Sequence, residues 1–506
     1  MTMTKSISSG AFFYLVPSII GLSCSGLVHE KAASEEQYTN KQRPNILFIV
    51  SEDNGPELGC YGAPVNTPIM DALAEGGIRF NNAYVSQAGC SPSRASFLTG
   101  LYPHQNGQVG LATWRYRMYN ENTPNLVNDL KASGYRTGII GKLHVNPESA
   151  FDFDFSEINS GNFARRDLDM YAKHAYDFFT STDGPFYLQV NYPDAHTPFT
   201  PQVDGRPKQI LTGVDVEAMP LFGVTSDSLR QITADYYNCI MRLDEMIGEL
   251  LDNLQKAGKY DNTLIVYIGD HGIDVIRGKR TCYEGGVRIP FIVSWPASGT
   301  AGIVSEHLVS IIDIYPTFMD ISGNPIPSHL PGKSFLPLLA GGAYEPREYL
   351  FTEYHVHSNH NPYPQRAVRD ARYKLIYSPL HGTEHPDYAF TLSRKLDHED
   401  FNEALTRAPE FVRQSYQRYN FPPEYELFDL LADPLEWHNL AEVPAYSEVL
   451  EHLKGVLHAW QVETSDPMLD TNLARRFFDD VMKQGIAERA YFPYHEYLDP
   501  KIDFGR

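Results

Sequence analysis

From residue 44 onward, short uninterrupted apolar runs alternate with longer stretches in which apolar positions recur every three or four residues. Asn45 to Val50 reads Asn-Ile-Leu-Phe-Ile-Val and stops abruptly at Ser51, Glu52, Asp53, Asn54 and Gly55. A run of strand length without polar interruption suits a strand covered on both faces, as in a parallel sheet flanked by helices. The same form recurs at Tyr135 to Ile140, before Gly141-Lys142-Leu143-His144, and at Phe186 to Val190, before Asn191-Tyr192-Pro193-Asp194-Ala195-His196. Thr263 to Ile268 precedes Gly269-Asp270-His271-Gly272, and Pro290 to Trp295 adds a further run. Between Val190 and Thr263 lies a long amphipathic segment, Leu229 to Lys256, with Ile240, Leu243, Ile247, Leu250 and Leu254 at helical spacing. Runs alternating with helices predict a βαβ architecture, and the polar tails of the runs then share one sheet edge, where ligands of open α/β sheets bind.

Beyond about residue 345 the pattern changes to shorter strand-like pieces, Tyr373 to Tyr377 and Tyr425 to Leu430, followed by a helix-like Ser447 to Val462. This predicts a smaller C-terminal α+β subdomain over 346–506 beside a catalytic domain over 44–345. At the other end, Lys5, the apolar run Ala11 to Ile20 and the small residues Gly21, Ser23 and Ser25 read as an export signal over 1–27. Cys24 is either a lipid-receiving thiol of a lipoprotein signal or part of an ordinary cleavage region, and 28–43 is a polar linker. The expected location is the periplasm or cell surface, with any membrane contact made through a lipid anchor.

Charge narrows the partners. The 506 residues carry 63 Asp and Glu against 42 Lys and Arg, a formal charge of −21. Such a field repels nucleic acid and anionic membranes. The 42% of apolar residues excludes global disorder. Of five cysteines, Cys24, Cys60, Cys90, Cys239 and Cys282, none forms a C-x-x-C pair, so neither a disulfide framework nor a zinc ribbon is expected.

Cys90 is followed by Ser91-Pro92-Ser93-Arg94 and by helix-compatible Ala95-Ser96-Phe97-Leu98. If Cys90 opens a helix, the positive end of the dipole and the Arg94 guanidinium favour an anion there. Taken alone, a buried inert cysteine is the commoner explanation. Glu52, Asp53 and Asp270, with His271 beside the last, place three carboxylates at the ends of two runs. They repel one another unless a cation is present, and hard oxygen ligands favour Ca²⁺ or Mg²⁺. Gly272 to Lys279 is not a phosphate loop, because five residues separate Gly272 from Gly278 and Arg280 stands where Ser or Thr is required. His355, His357 and His360 have metal-like spacing, yet no acid or cysteine adjoins them.

These stretches resemble the type I, formylglycine-dependent sulfatases, whose hallmark C-x-P-S-R followed by T-G is matched by Cys90 to Arg94 with Thr99-Gly100. The resemblance runs through the opening strand and acidic turn, Gly141 to His144, Pro193 to Pro198, Gly269 to Gly272 and Lys279 to Gly286. It implies an alkaline-phosphatase-like α/β fold, a mixed sheet sandwiched by helices, with a smaller C-terminal α+β subdomain. It further implies that a formylglycine-generating enzyme oxidises Cys90 to formylglycine (3-oxoalanine), whose hydrate attacks sulfur. One Ca²⁺ would be bound by Glu52, Asp53, Cys90, Asp270 and His271. Arg94 and Lys142 would hold the nucleophile, assisted by His144, while His196 and Lys279 grip the sulfate and protonate the leaving group. Two departures stand out: Glu52 where the family usually has Asp, and His271 where many members have Asn.

Within the family the chain is most similar to the sulfamidases (heparan N-sulfatase, N-sulfoglucosamine sulfohydrolase). The supporting stretches are His104-Gln105-Asn106-Gly107, Arg136 to Lys142 and Glu463-Thr464-Ser465-Asp466-Pro467. That resemblance makes His357 and Arg366, the latter in Tyr363-Pro364-Gln365-Arg366, substrate-binding, while Ser358 replaces the glutamate expected after the histidine. The expected activity is hydrolysis of sulfate from sulfated oligo- or polysaccharide fragments. The alternatives are an O-sulfatase of an algal polysaccharide such as ulvan or carrageenan, a phosphonate or phosphate monoester hydrolase, and a non-catalytic glycan-binding relative. With a chain this acidic, a sulfate-sized cationic hole favours short fragments or chain ends over an extended polyanion track.

Overall fold

The computed structural model describes residues 43–181, 183–485 and 493–504. The chain divides into two units, Met1–Arg43 and Pro44–Arg506. The export signal, Cys24 and the linker, apart from Arg43, lie outside the described residues. Among the described residues no helix is long and apolar enough to cross a membrane.

The larger unit is built on an eight-stranded sheet. Its strands are β1 (Asn45–Ser51), β2 (Ile78–Tyr84), β3 (Arg136–Gly141), β4 (Phe155–Glu157), β5 (Phe186–Tyr192), β6 (Thr263–Gly269), β7 (Phe291–Ser294) and β8 (Ile303–Ser310). They lie in the order β4-β3-β5-β1-β6-β7-β2-β8. Only β7 runs antiparallel to its neighbours, β6 and β2. The sheet is therefore mixed, and β1, β2, β3, β5 and β6 all end on one edge.

Every residue of β1, β5 and β6 is buried, as their uninterrupted apolar sequences predict. Alternation sends the β1 side chains to two cores. Leu47 and Ile49 join the layer containing Ile240, Leu243, Ile247 and Leu250. Ile46, Phe48 and Val50 join the layer containing Phe97, Leu98 and Phe318, where Phe48 meets Phe97 edge to face at 5.1 Å. The helices that cover the sheet include α1 (Cys90–Thr99), α2 (Asp169–Thr180) and α3 (Asp227–Lys256). The last begins two residues before the predicted start, because the Ser226 side chain caps it by accepting from the Leu229 amide.

A second, four-stranded antiparallel sheet follows: β9 (Leu350–Tyr354), β10 (Gln365–Arg369), β11 (Tyr373–Tyr377) and β12 (Tyr425–Asp429), in the order β12-β11-β10-β9. It is accompanied by α4 (Pro386–Lys395) and α5 (Ser447–Glu463). Leu453, Leu457 and Trp460 of α5 pack on Val368, Leu375 and Leu427 of this sheet.

Candidate active site

The carboxyl ends of five strands converge on one point. After β1 the chain turns through Glu52 and Asp53, the latter in the left-handed region at φ 46°, an uncommon conformation for a non-glycine residue. The Asp53 amide donates to Asp270 Oδ1 at 2.9 Å, and the Asp270 amide donates to the Ser51 carbonyl at 2.9 Å, so the tails of β1 and β6 are stitched together. Gly269 makes that approach possible: a Cβ there would lie 2.0 Å from the Asn54 carbonyl oxygen.

Cys90 arrives from β2 as the first residue of α1, after an extended Gly89, and Gly100 closes the helix at φ 68°. All ten residues of α1 are buried, including Arg94. The thiol sulfur lies 3.3 Å from Lys279 Nζ, 3.3 Å from His271 Nε2 and 4.0 Å from Asp53 Oδ1. Arg94 spends its donors inside the protein: Nε on Asp270 at 3.1 Å, one terminal nitrogen on Glu52 at 2.6 Å, and the other on Asn191 at 2.7 Å and the Lys142 carbonyl at 2.9 Å. Lys142 Nζ reaches Glu52 Oε2 at 2.8 Å and lies 4.8 Å from the Phe163 ring centre.

Hydrogen bonds fix two imidazoles. His271 Nδ1 meets the Gly272 carbonyl at 2.8 Å and His196 Nδ1 meets the Thr197 carbonyl at 2.6 Å. A carbonyl only accepts, so both Nδ1 atoms carry hydrogen and both Nε2 atoms face the centre. Burial pushes His196 down to about 4, against the pull of Asp53. For His271 burial acts in the same direction, but Asp270 and Asp53 override it and raise the ring to about 9. Burial opposes the Asp53 charge, yet Lys279, His196 and His271 hold that carboxyl below the ordinary range. His144, at φ 58°, has no hydrogen-bond partner on either ring nitrogen, and burial together with Lys142 and Arg94 keeps it neutral.

The donor set suits a hard divalent cation. Glu52, Asp53, Cys90 and His196 offer one atom each within 4.8 Å of one another, as do Cys90, Asp270 and His271. Asp53 Oδ2 is buried without a hydrogen-bond partner, as a ligand atom would be.

A cavity of about 410 Å³ opens beside Cys90 and is lined by Lys142, His144, His196, Lys279 and His357. His357 presents a buried Nε2 without a hydrogen-bond partner. Arg366 does not line it. Its guanidinium pairs with both carboxylate oxygens of Asp466 at 2.7 Å and is fully buried, which corrects its reading as a substrate-binding residue. Among the lining residues not singled out from sequence, three shape the centre. Phe163 stacks on His196 with centroids 3.7 Å apart; Asp274 accepts from Thr197 Oγ1 at 3.0 Å and pairs with Arg280 at 2.6 Å; Arg280 is tied to Asp387 at 2.5 Å. Only Arg280 lay in a recognised motif; Phe163 sits in an irregular loop without a periodic signal.

Fold and centre together define an α/β enzyme in which a carboxylate cluster fit for a cation faces basic side chains across a buried thiol. The chain belongs to the sulfatase family: that family's pattern matches residues 44–324, and the pattern of the N-sulphoglucosamine sulphohydrolase C-terminal region matches 269–391. It is 32% identical over 471 residues to human N-sulphoglucosamine sulphohydrolase, covering 84% of this chain and 92% of the relative. It is 30% identical over 476 residues to an ulvan-active sulfatase of Formosa agariphila, covering 89% and 87%. A solved structure in complex with its substrate D-glucosamine-2-N,6-O-disulfate shares the fold at a TM-score of 0.64 and 23% identity, covering 84% of this chain and 98% of that one. The protein is thus a sulfatase, a hydrolase of sulfate esters or sulfamates.

Proposed function

We propose that this sulfatase releases sulfate from a sulfated saccharide, with the sulfamate of glucosamine as its leading substrate. The placement of Cys90 carries the reading: it opens a fully buried helix and lies 3.3 Å from both Lys279 and His271. If present, formylglycine at position 90 would supply the nucleophile toward sulfur, and a divalent cation, Ca²⁺ by family, would supply positive charge at the centre. Glu52, Asp53, Asp270 and His271 would hold that cation. Arg94 acts on the acids, fixing Glu52 and Asp270 relative to each other.

Lys279, kept charged by Asp53 despite its burial, binds a sulfate oxygen and carries the proton nearest the leaving atom. His196, neutral with Nδ1–H committed to Thr197, offers Nε2 as an acceptor, so the donor role falls to Lys279. Lys142 adds a second positive charge on the same wall. His144 has both nitrogens available for proton movement at the nucleophile, and His357 Nε2 orients the sugar. The likeness to the ulvan-active sulfatase supports a second reading, an O-sulfate of an algal polysaccharide. Ser358 bears on the same choice, because its hydroxyl pairs with His360 Nδ1 at 3.0 Å and the expected carboxylate is absent there. Export, suggested by residues 11–20, places the enzyme outside the cytoplasm with its substrate.

Sulfate released from defined glucosamine N-sulfate, glycosaminoglycan and ulvan fragments, alongside aryl sulfate and aryl phosphate, tests this directly. Cys90→Ala is expected to lower turnover by at least about 10³-fold, and mass spectrometry of the Cys90 peptide to show the aldehyde. Full activity of Cys90→Ala, or phosphate turnover exceeding sulfate turnover, would overturn the proposal.

A further inference from the structure

Phe390 and Thr113, on the wall of the cavity, connect it to a neighbouring cluster of rings that the sulfate chemistry does not use. The ring of Phe390, in α4, lies 5.2 Å from His360, which in turn meets Trp114 edge to face at 5.0 Å. All three rings are half-buried. Trp114 ends the short turn Ala112–Trp114, which Arg115 closes at φ 67°, a strained conformation for arginine. Thr113, its neighbour, lines the cavity itself. Cations flank the rings: Arg280 lies 5.6 Å and Arg394 5.9 Å from the Phe390 ring centre, and Arg394 and Arg115 are exposed. Arg280 is already bound to Asp274 and Asp387, so the cations open to a ligand on this side are the exposed Arg115 and Arg394.

We propose that Trp114, His360 and Phe390 form a shelf for the sugar adjoining the sulfated one, and that this second sugar is anionic, carrying a carboxylate or a further sulfate. The inference rests on the saccharide reading of the site and adds to it that the substrate is at least a disaccharide. The C–H face of a pyranose packs on aromatic faces through dispersion and the ring quadrupole. A neutral sugar offers Arg115 and Arg394 only hydroxyl acceptors, whereas a carboxylate or sulfate forms the shorter, stronger charge-assisted hydrogen bonds with a guanidinium.

Calorimetric binding to the Cys90→Ala protein, which does not turn over, separates the possibilities. The probes are glucosamine N-sulfate and the disaccharide in which that sugar carries a hexuronate on its anomeric carbon. The disaccharide is expected to bind at least tenfold tighter. Adding Trp114→Ala is expected to remove that advantage while leaving monosaccharide affinity within twofold, and Phe390→Leu, whose ring lines the cavity, to weaken the disaccharide more than the monosaccharide. Arg394→Gln, on the exposed flank, is expected to weaken the disaccharide at least threefold and keeps the test open if an aromatic variant fails to fold. Equal affinity for the two probes, or variants that weaken both alike, overturns the shelf alone. Failure of the folded parent to bind either probe overturns the saccharide reading together with the shelf.

Discussion

Arg94 shows how one residue can serve a reaction without facing the substrate. Its guanidinium is fully buried and divides its donors among Glu52, Asp270, Asn191 and the Lys142 carbonyl. An ammonium in that place can satisfy only part of this planar arrangement, so Arg94→Lys is not conservative. We expect it to destabilise the fold by about 3 kcal/mol, the order of a broken buried ion pair, and to weaken cation binding at least tenfold. Urea unfolding and metal analysis of the dialysed protein check both, and a variant with wild-type metal content would remove Arg94 from the scaffold of the acids. Glu52, Asp53, Asp270 and His271 could be named as ligand candidates from sequence because they fall in the polar tails of two apolar runs. Arg366 was misread because its partner, Asp466, lies 100 positions away, a pairing no local pattern announces.

At the scale of elements, the centre depends on how closely strand tails pass one another. β1 and β6 run side by side from Asn45 opposite Thr263 to Ser51 opposite Gly269, and just beyond that pairing the Asn54 carbonyl crosses Gly269. Gly269→Ala would place its Cβ 2.0 Å from that oxygen, and the only relief is to move backbone. Destabilisation of about 3 kcal/mol, with lost sulfatase activity even in the folded fraction, is the expected outcome. Thermal unfolding and active-fraction titration measure it, and a variant with wild-type midpoint and activity would show that the two tails have slack. The buried central strands were readable because they carry no polar interruption. β2 was not, since Ile78-Arg79-Phe80-Asn81-Asn82 alternates and its sheet neighbour β8 begins exposed at Ile303 and Val304. That Cys90 could open a helix was suggested by the helix-compatible residues after it, but the Phe163 loop, which rests on Arg165 bonding Asp194 at 2.6 Å and the His196 carbonyl at 2.5 Å, depends on tertiary contacts alone.

Across the whole molecule, the two sheets are joined by buried ion pairs that span long stretches of chain, which is where much of the interior charge resides. Lys374 of β11 reaches Glu284 of the catalytic layer at 3.0 Å and His104 meets Glu353 of β9 at 2.6 Å, while within the second layer Lys374 also meets Glu436 at 2.7 Å and Arg366 of β10 grips Asp466. The Lys374–Glu284 and His104–Glu353 contacts hold the second sheet against the catalytic layer, and so hold His357 and Phe390 on the cavity. The Arg366–Asp466 pair, which ties β10 to the segment after α5 inside the second layer, has a pH signature of its own. Burial opposes the Asp466 charge, but Arg366 and His104 outweigh it and bring the carboxyl from 3.8 to about 2. A carboxyl whose folded value lies below its unfolded one adds stability that is complete above the unfolded value and is lost as pH falls toward the folded one. For this fully buried group the shift amounts to about 2 kcal/mol. Asp466→Asn leaves the Arg366 charge with Glu353, 4.0 Å away, as its nearest acid, so a loss of about 3 to 5 kcal/mol is expected at pH 7. Because the wild type surrenders the same pair by protonation, the gap between the two proteins should hold constant from pH 7 to 5 and narrow below about pH 4. Urea midpoints of both proteins across that range decide it. A gap that stayed the same down to pH 3 would mean that Asp466 contributes by packing and neutral hydrogen bonding instead of by charge, and the ion-pair account of how β10 is tied to the segment after α5 would fail.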